Sequence, residues 1–318
     1  MFLESVMTTV SAVIQVILMA GIGYFLVKRR VLDYEGIGTI SRMTVELTLP
    51  VLIFCQLIKD FSFAQYADWW IFPLLSIAIT LVGYAIGSLF IRFIQGEEHK
   101  KQFLGLTAFQ NSGYLPLALI AGILPADKAE PMFIYLFLFL LGFNLVIWSF
   151  GVHLLSFDRT KKFELGSLFS PPVIATLFSL LVVFLGLNKF IPDFVIAPLK
   201  AVGNCTIPLS MIVVGGSLAQ ISLRKVVKKA MFLAVLVKMI ILPALGLALV
   251  LILKLPELIG LLIVMELAVP SATNLSLIIR HYKKEDLLIN QGVLFTHIVG
   301  IISLPFFLSL FFALNVVK

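Results

Sequence analysis

Apolar residues do not alternate with polar ones along this chain; they run on in long blocks. Ten such blocks stand out, at 5–27, 43–59, 69–94, 103–124, 131–155, 171–188, 200–221, 230–253, 257–280 and 288–313. About 20 apolar residues in a helix cross a hydrocarbon core about 30 Å thick. Blocks of this length predict spanning helices, since a lone strand leaves its backbone polar groups unpaired in lipid. The connections are short and leave no room for an extramembrane domain.

Two blocks are interrupted. The fourth contains LTAFQNSGYLPLALI, residues 106–120, with Asn111, Ser112 and Gly113 shortly before Pro116. The ninth contains ELAVPSATNLSLII, with Pro270, Ser271, Ala272, Thr273 and Asn274. Both interruptions fall near the middle of their block, close to the bilayer centre at 1.5 Å per residue. Proline removes a backbone hydrogen bond and clashes with the preceding turn, so small polar residues can line an unwound stretch. Proline and glycine also produce simple kinks in membrane helices. Pro73, Pro243 and Pro305 have no polar company, and a kink accounts for them. Gly83, Gly87, Gly215, Gly216 and Gly246 are expected to let helices approach closely.

Composition agrees with the pattern. Of 318 residues, 60% are hydrophobic and 13% charged, with a mean hydropathy of +1.09, which excludes a soluble globular domain. The net charge of +7 would suit nucleic acid only if its placement were ignored. Alternate connections carry 17 Lys and Arg on one side of the membrane and six on the other, with Lys238 inside a block. The richer side holds Lys28–Arg30 and Arg42; Arg92, Lys100 and Lys101; Arg159, Lys161 and Lys162; Arg224, Lys225, Lys228 and Lys229; and Arg280, Lys283 and Lys284. The positive-inside rule makes that side cytoplasmic and puts both termini outside. The N-terminal block has its positive charges after it, unlike a signal peptide, and reads as the first span. Cys55 and Cys205 both sit in apolar blocks and are expected to be buried and inert.

Ten spans divide into two fives, 1–160 and 161–318. TLP at 48–50 in the second span is echoed by TIP at 206–208 in the seventh. The fourth and ninth spans, the interrupted ones, also correspond. Five is odd, so the halves would lie inverted with respect to each other. Interrupted segments at matching places in two such halves point to a secondary transporter's binding site.

The motifs LPVLIF (49–54), NSGYLP (111–116), GGSLA (215–219) and PSATNLSLI (270–278) resemble those of the auxin efflux carrier family, which includes bacterial malate and malonate permeases. The likeness runs through nearly the whole chain, without the long central loop of plant auxin carriers. It therefore looks like a compact prokaryotic member of the plasma membrane. The resemblance implies an all-α fold of two inverted five-helix repeats in which broken helices four and nine cross. It implies elevator-type movement against a scaffold of helices one, two, six and seven, and dimerisation through that scaffold. The substrates it implies are small organic anions, with no cofactor.

Ionisable residues deep in a membrane are functional candidates by default, because each costs roughly 2.5–3.5 kcal/mol at the centre. Glu266, one turn before Pro270, could take a proton, ligate sodium or simply pair with a lysine. Bile acid/sodium symporters, whose fold is similar, use an acid at this place in their sodium sites. Auxin carriers resemble one another in having a neutral amide there, so this chain departs from them. Lys238 could pair with Glu266, attract an anion or snorkel toward the cytoplasm. His297 could relay protons or hydrogen-bond between helices. Glu46, four residues after Arg42, is expected to be solvated at the interface. Gln56, Asn144 and Thr206 could hold helices together, and in the resembled fold Asn144 lies beside the crossing.

These readings favour a carrier of small carboxylates built from Asn111, Ser112, Gly113, Pro116, Asn144, Pro270, Ser271, Thr273 and Asn274, with H⁺ or Na⁺ as coupling ion through Glu266, Lys238 and His297. A cation/proton antiporter is the rival, with one acid where it would want one or two. A channel would need a span polar along one face. An enzyme would need HExxH, paired aspartates or a Ser–His arrangement, and none is found in the sequence.

Overall fold

The computed structural model describes residues 2–156, 169–221, 227–281 and 287–316. Arg159, Lys161, Lys162, Arg224, Lys225, Lys283, Lys284 and Lys318 lie outside the described residues, as does the boundary between 160 and 161. Among the described residues the chain is helical, with one isolated β-bridge and no strand. The helices are α1 (Phe2–Lys28), α2 (Tyr34–Met43), α3 (Leu49–Asp60), α4 (Ile71–Phe90), α5 (Glu97–Ala108), α6 (Tyr114–Ile123), α7 (Ala126–Val146) and α8 (Val152–Ser156). The second half holds α9 (Pro171–Phe184), α10 (Asp193–Asn204), α11 (Thr206–Ala219), α12 (Lys228–Leu236), α13 (Leu242–Leu253), α14 (Glu257–Ala268), α15 (Asn274–His281) and α16 (Leu287–Val316).

Several of these run on through a widened turn. Five-residue π-helical turns join α2 to α3, α7 to α8 and α12 to α13. Two of the three turns precede a proline, Pro50 or Pro243, which cannot donate to the carbonyl four residues back. The turn before Pro243 contains Lys238, so this proline shapes the backbone around a buried charge. Pro243 thus has the polar company that its immediate neighbours in sequence did not suggest.

Counted through such turns, seven helices among the described residues are long and apolar enough to cross a membrane. The apolar blocks 103–124, 171–188 and 257–280 are helical too, but in pieces of 8–14 residues. The first and last of these are the two interrupted blocks. The outer surface carries many exposed large apolar side chains, among them Leu18, Phe25, Phe184, Ile252 and Ile302, as a surface facing lipid does.

Packing divides the helices into two groups. In one, α1 lies along α11, and α3 lies against α9 and α10. In the other, α4 packs on α5 and α7, while α12 and α14 pack on α16. The groups meet where α1 touches α6 and α16, where α11 touches α6, and where α7 touches α3 and α9. Close approach needs glycine: a Cβ on Gly215 would strike the Ala20 carbonyl, and one on Gly83 or Gly87 would strike Thr107. Gly216 and Gly246 are similarly crowded, by Ile37 and Leu267. Cys55 is buried as expected, but Cys205 is exposed. It sits at the break between α10 and α11, which turns its side chain out of the bundle.

Candidate functional site

The interrupted segments 109–113 and 269–273 meet back to back. The Asn111 amide donates to the Pro270 carbonyl at 2.8 Å, and the Ala272 amide donates to the Phe109 carbonyl at 3.0 Å. Gln110 and Ser271 thereby form an antiparallel bridge. A break buried inside the bundle exposes backbone groups that water cannot reach, and each must find a partner. Here each break supplies the other's. Ser271 extends the exchange: its hydroxyl donates to the Leu106 carbonyl at 2.7 Å, one of the last four of α5, and its amide donates to Thr296 Oγ1 at 3.3 Å.

Beside this crossing lies a cavity of about 450 Å³. Its floor is Gln110, Asn111, Ser112, Gly113, Ala272, Thr273 and Asn274. Asn144 lines one wall, with its side-chain amide donating to the Leu140 carbonyl at 2.8 Å. Leu140, Phe143 and Trp148 add an apolar wall, and Ser276 and Asn290 close the far side. The cavity extends to Tyr34, Arg42, Glu46 and Gln220, at the end of the molecule that also carries Lys28, Arg29 and Arg30. Glu46 is exposed there, as its sequence position suggested. The N-termini of α6 and α15 begin at the crossing, so their leading amides and positive dipole ends lie at this floor.

The sequence-derived candidates separate by place. Asn111, Ser112, Gly113, Asn144, Thr273 and Asn274 line the cavity. Pro116, inside α6, does not, and neither does Ser271, which is spent on fastening the crossing. Pro270 lends its carbonyl to the crossing and turns its ring toward a second, apolar cavity. His297 lines that second cavity too. Sequence reading passed over Gln110 and Asn290, although both are polar residues inside apolar blocks.

Glu266 is fully buried in the last turn of α14, behind the floor. Ser112, Lys238 and Gln110 are the groups acting on its carboxylate. None of them closes a well-formed hydrogen bond with it, and no ion pair within 4 Å joins it to Lys238. Lys238 is itself 1% exposed. Gln110, Asn111 and Ser112 also hold buried polar atoms without a partner in the protein. Folded proteins rarely leave such atoms together unless a ligand, ion or water completes them. No group of three or more His, Cys, Asp and Glu side chains gathers as a metal site among the described residues.

Comparison with known proteins agrees with this architecture. The family model described as "Membrane transport protein" matches residues 8–165 and 156–308. Protein PIN-LIKES 2 of Arabidopsis thaliana is 29% identical over 85 residues, 26% of this chain and 19% of that protein. Protein PIN-LIKES 5 of the same plant is 25% identical over 120 residues, 37% of this chain and 30% of that protein. The matched stretches thus span less than a third of either relative. The family match runs through nearly all the chain, which is an integral membrane protein of the membrane transport, or auxin efflux carrier, family; that membership points to a transporter rather than an enzyme.

Proposed function

We propose that the protein is a secondary active transporter of small organic anions, of the size of malate, malonate or an auxin-like carboxylate. The observation that carries this reading is the floor of the polar cavity. Two helix N-termini converge on it, and Gln110, Asn111 and Ser112 present unpartnered polar atoms beside it. Amides at a helix N-terminus favour a carboxylate. The apolar wall of Leu140, Phe143 and Trp148 suits the carbon skeleton, and Arg42 stands toward the mouth. A cavity of about 450 Å³ is within the usual range for small-molecule sites.

In this reading the chain crosses the membrane ten times as two inverted repeats, 1–160 and 161–318. The cavity opens toward the basic, cytoplasmic end, so the described form faces inward. The α1, α3, α9, α10 and α11 group acts as scaffold, shared with a second copy in a homodimer, and the group bearing the crossing slides against it.

Glu266 supports a second, ion-coupled version of this reading. It lies directly behind Ser112, so a change in its charge reaches the cavity floor. Lys238 already balances that carboxylate. A sodium ion added there would leave a net positive charge in a dry interior, which is costly. A proton taken up there adds the same charge, so the pair bears equally on H⁺ and Na⁺ as coupling ions.

Uptake of labelled malate, malonate and an indole carboxylate into proteoliposomes tests the proposal, with and without sodium and a pH gradient. Saturable uptake of one of them, lost in Asn274→Ala, is expected. Ion flux without any organic substrate would replace it with the antiporter reading.

A further inference from the structure

The apolar cavity on the other side of the crossing has about 230 Å³ of space and walls from α1, α6, α11, α16 and Pro270. Only two of its lining side chains are ionisable or hydrogen-bonding, His297 and Tyr24. His297 Nδ1 lies 2.7 Å from the Val293 carbonyl of its own helix and must donate to it. In the neutral ring Nε2 is then a lone-pair acceptor, directed away from that helix. It is buried and has no partner, in a residue only 9% exposed. A buried acceptor left unpaired costs about 1–3 kcal/mol.

The mouth of this cavity opens onto lipid. Tyr24 on α1 and Ile298 and Ile301 on α16 form its rim and are 40%, 49% and 44% exposed. Both helices are among those long and apolar enough to span a membrane, and Lys28 Nζ stands 5.3 Å from the Tyr24 ring, so the rim runs from the basic end into the apolar surface. Gly21 also lines the cavity, and a Cβ built on it meets nothing within 4 Å.

We infer that this cavity is a second ligand site, for a membrane-dissolved amphiphile with a compact apolar body and one hydroxyl donor that His297 Nε2 accepts. At about 30 Å³ per water-sized volume, 230 Å³ suits a body of roughly eight heavy atoms. The apolar walls make water a poor occupant, and the unpaired acceptor of His297 favours a hydroxyl donor over its methyl ether. The site is independent of the carboxylate cavity, because neither His297 nor Gly21 lines the latter. Its walls belong to both packing groups, α1 and α11 on one side and α6 and α16 on the other. On the transport reading above, an occupant bridges the two groups and slows their movement.

The experiment measures binding of 4-methylphenol and its methyl ether to the full chain in lipid nanodiscs, separately from transport. Wild type is expected to bind the phenol at least tenfold more tightly than the ether. His297→Phe should bind both equally, and Gly21→Leu, which fills the cavity from a roomy position, should weaken both at least tenfold. Melting temperatures of the variants show whether they are folded. Equal binding of phenol and ether by wild type would overturn the inference. So would undiminished phenol binding by a folded Gly21→Leu. Phenol that binds without lowering the maximal transport rate would overturn the bridging role alone. A protein that binds the phenol but moves no carboxylate would overturn the transport reading and leave the site standing.

Discussion

The two breaks look alike in sequence, each a proline near small polar residues in an apolar block, yet they do different work. In the first, 109–113, Gln110, Asn111 and Ser112 line the cavity and hold buried polar atoms that close no hydrogen bond in the protein. The second, 269–273, is fastened at Ser271 through both its hydroxyl and its amide, and only beyond it do Thr273 and Asn274 reach the cavity. Glu266 precedes the second break in sequence but acts on Gln110 and Ser112 of the first, with Lys238 in electrostatic reach. One break presents polar groups and the other anchors the crossing. Matching composition in two halves therefore does not imply matching roles.

This contrast can be broken in order of expected effect. Lys238→Met leaves the Glu266 carboxylate buried without its counter-charge and should lower stability most, by about 3–5 kcal/mol if the carboxylate stays ionised. Adding Glu266→Gln should restore much of the loss, read as melting temperature in detergent. If the double variant is no better than Lys238→Met, the two charges do not act as a pair. Next, Asn111→Leu should reduce carboxylate uptake at least tenfold while the protein melts within a few degrees of wild type. Replacing a polar group that has no partner in the fold costs little stability. A large drop in melting temperature would mean that Asn111 is structural and that the first break anchors as well.

Smaller effects belong to the anchoring break. Ser271→Ala should cost about 1–3 kcal/mol by leaving the Leu106 carbonyl unpaired, with the half-saturating substrate concentration unchanged. A selective change in that concentration would place Ser271 in the site. The smallest change is expected of Asn144→Ala, a severalfold loss of uptake, because its amide is already held by the Leu140 carbonyl.

Much of this was legible in the chain. The apolar blocks located the helices, and proline beside small polar residues located both breaks, because each signal is local. The faces of the helices were not legible. A helix that is apolar on all sides gives no moment to say which side meets lipid and which meets a cavity. Hence His297 and Glu266, both ionisable and both deep in the chain's helices, read alike in sequence but stand on different sides of the crossing. Gln110 and Asn290 were passed over because an uncharged amide in a membrane helix commonly ties neighbours together. The fastening of Ser271 to Leu106 spans 165 residues and no local pattern announces it.

The central claim is that the floor of the crossing holds the transported anion. Thr273→Cys in a Cys205→Ser background puts a thiol in that floor and removes the exposed native one. The rate at which a small thiol reagent labels it should fall severalfold when a transported carboxylate is added, at the concentration that half-saturates uptake. A labelling rate that ignores every carboxylate the protein transports would contradict the account.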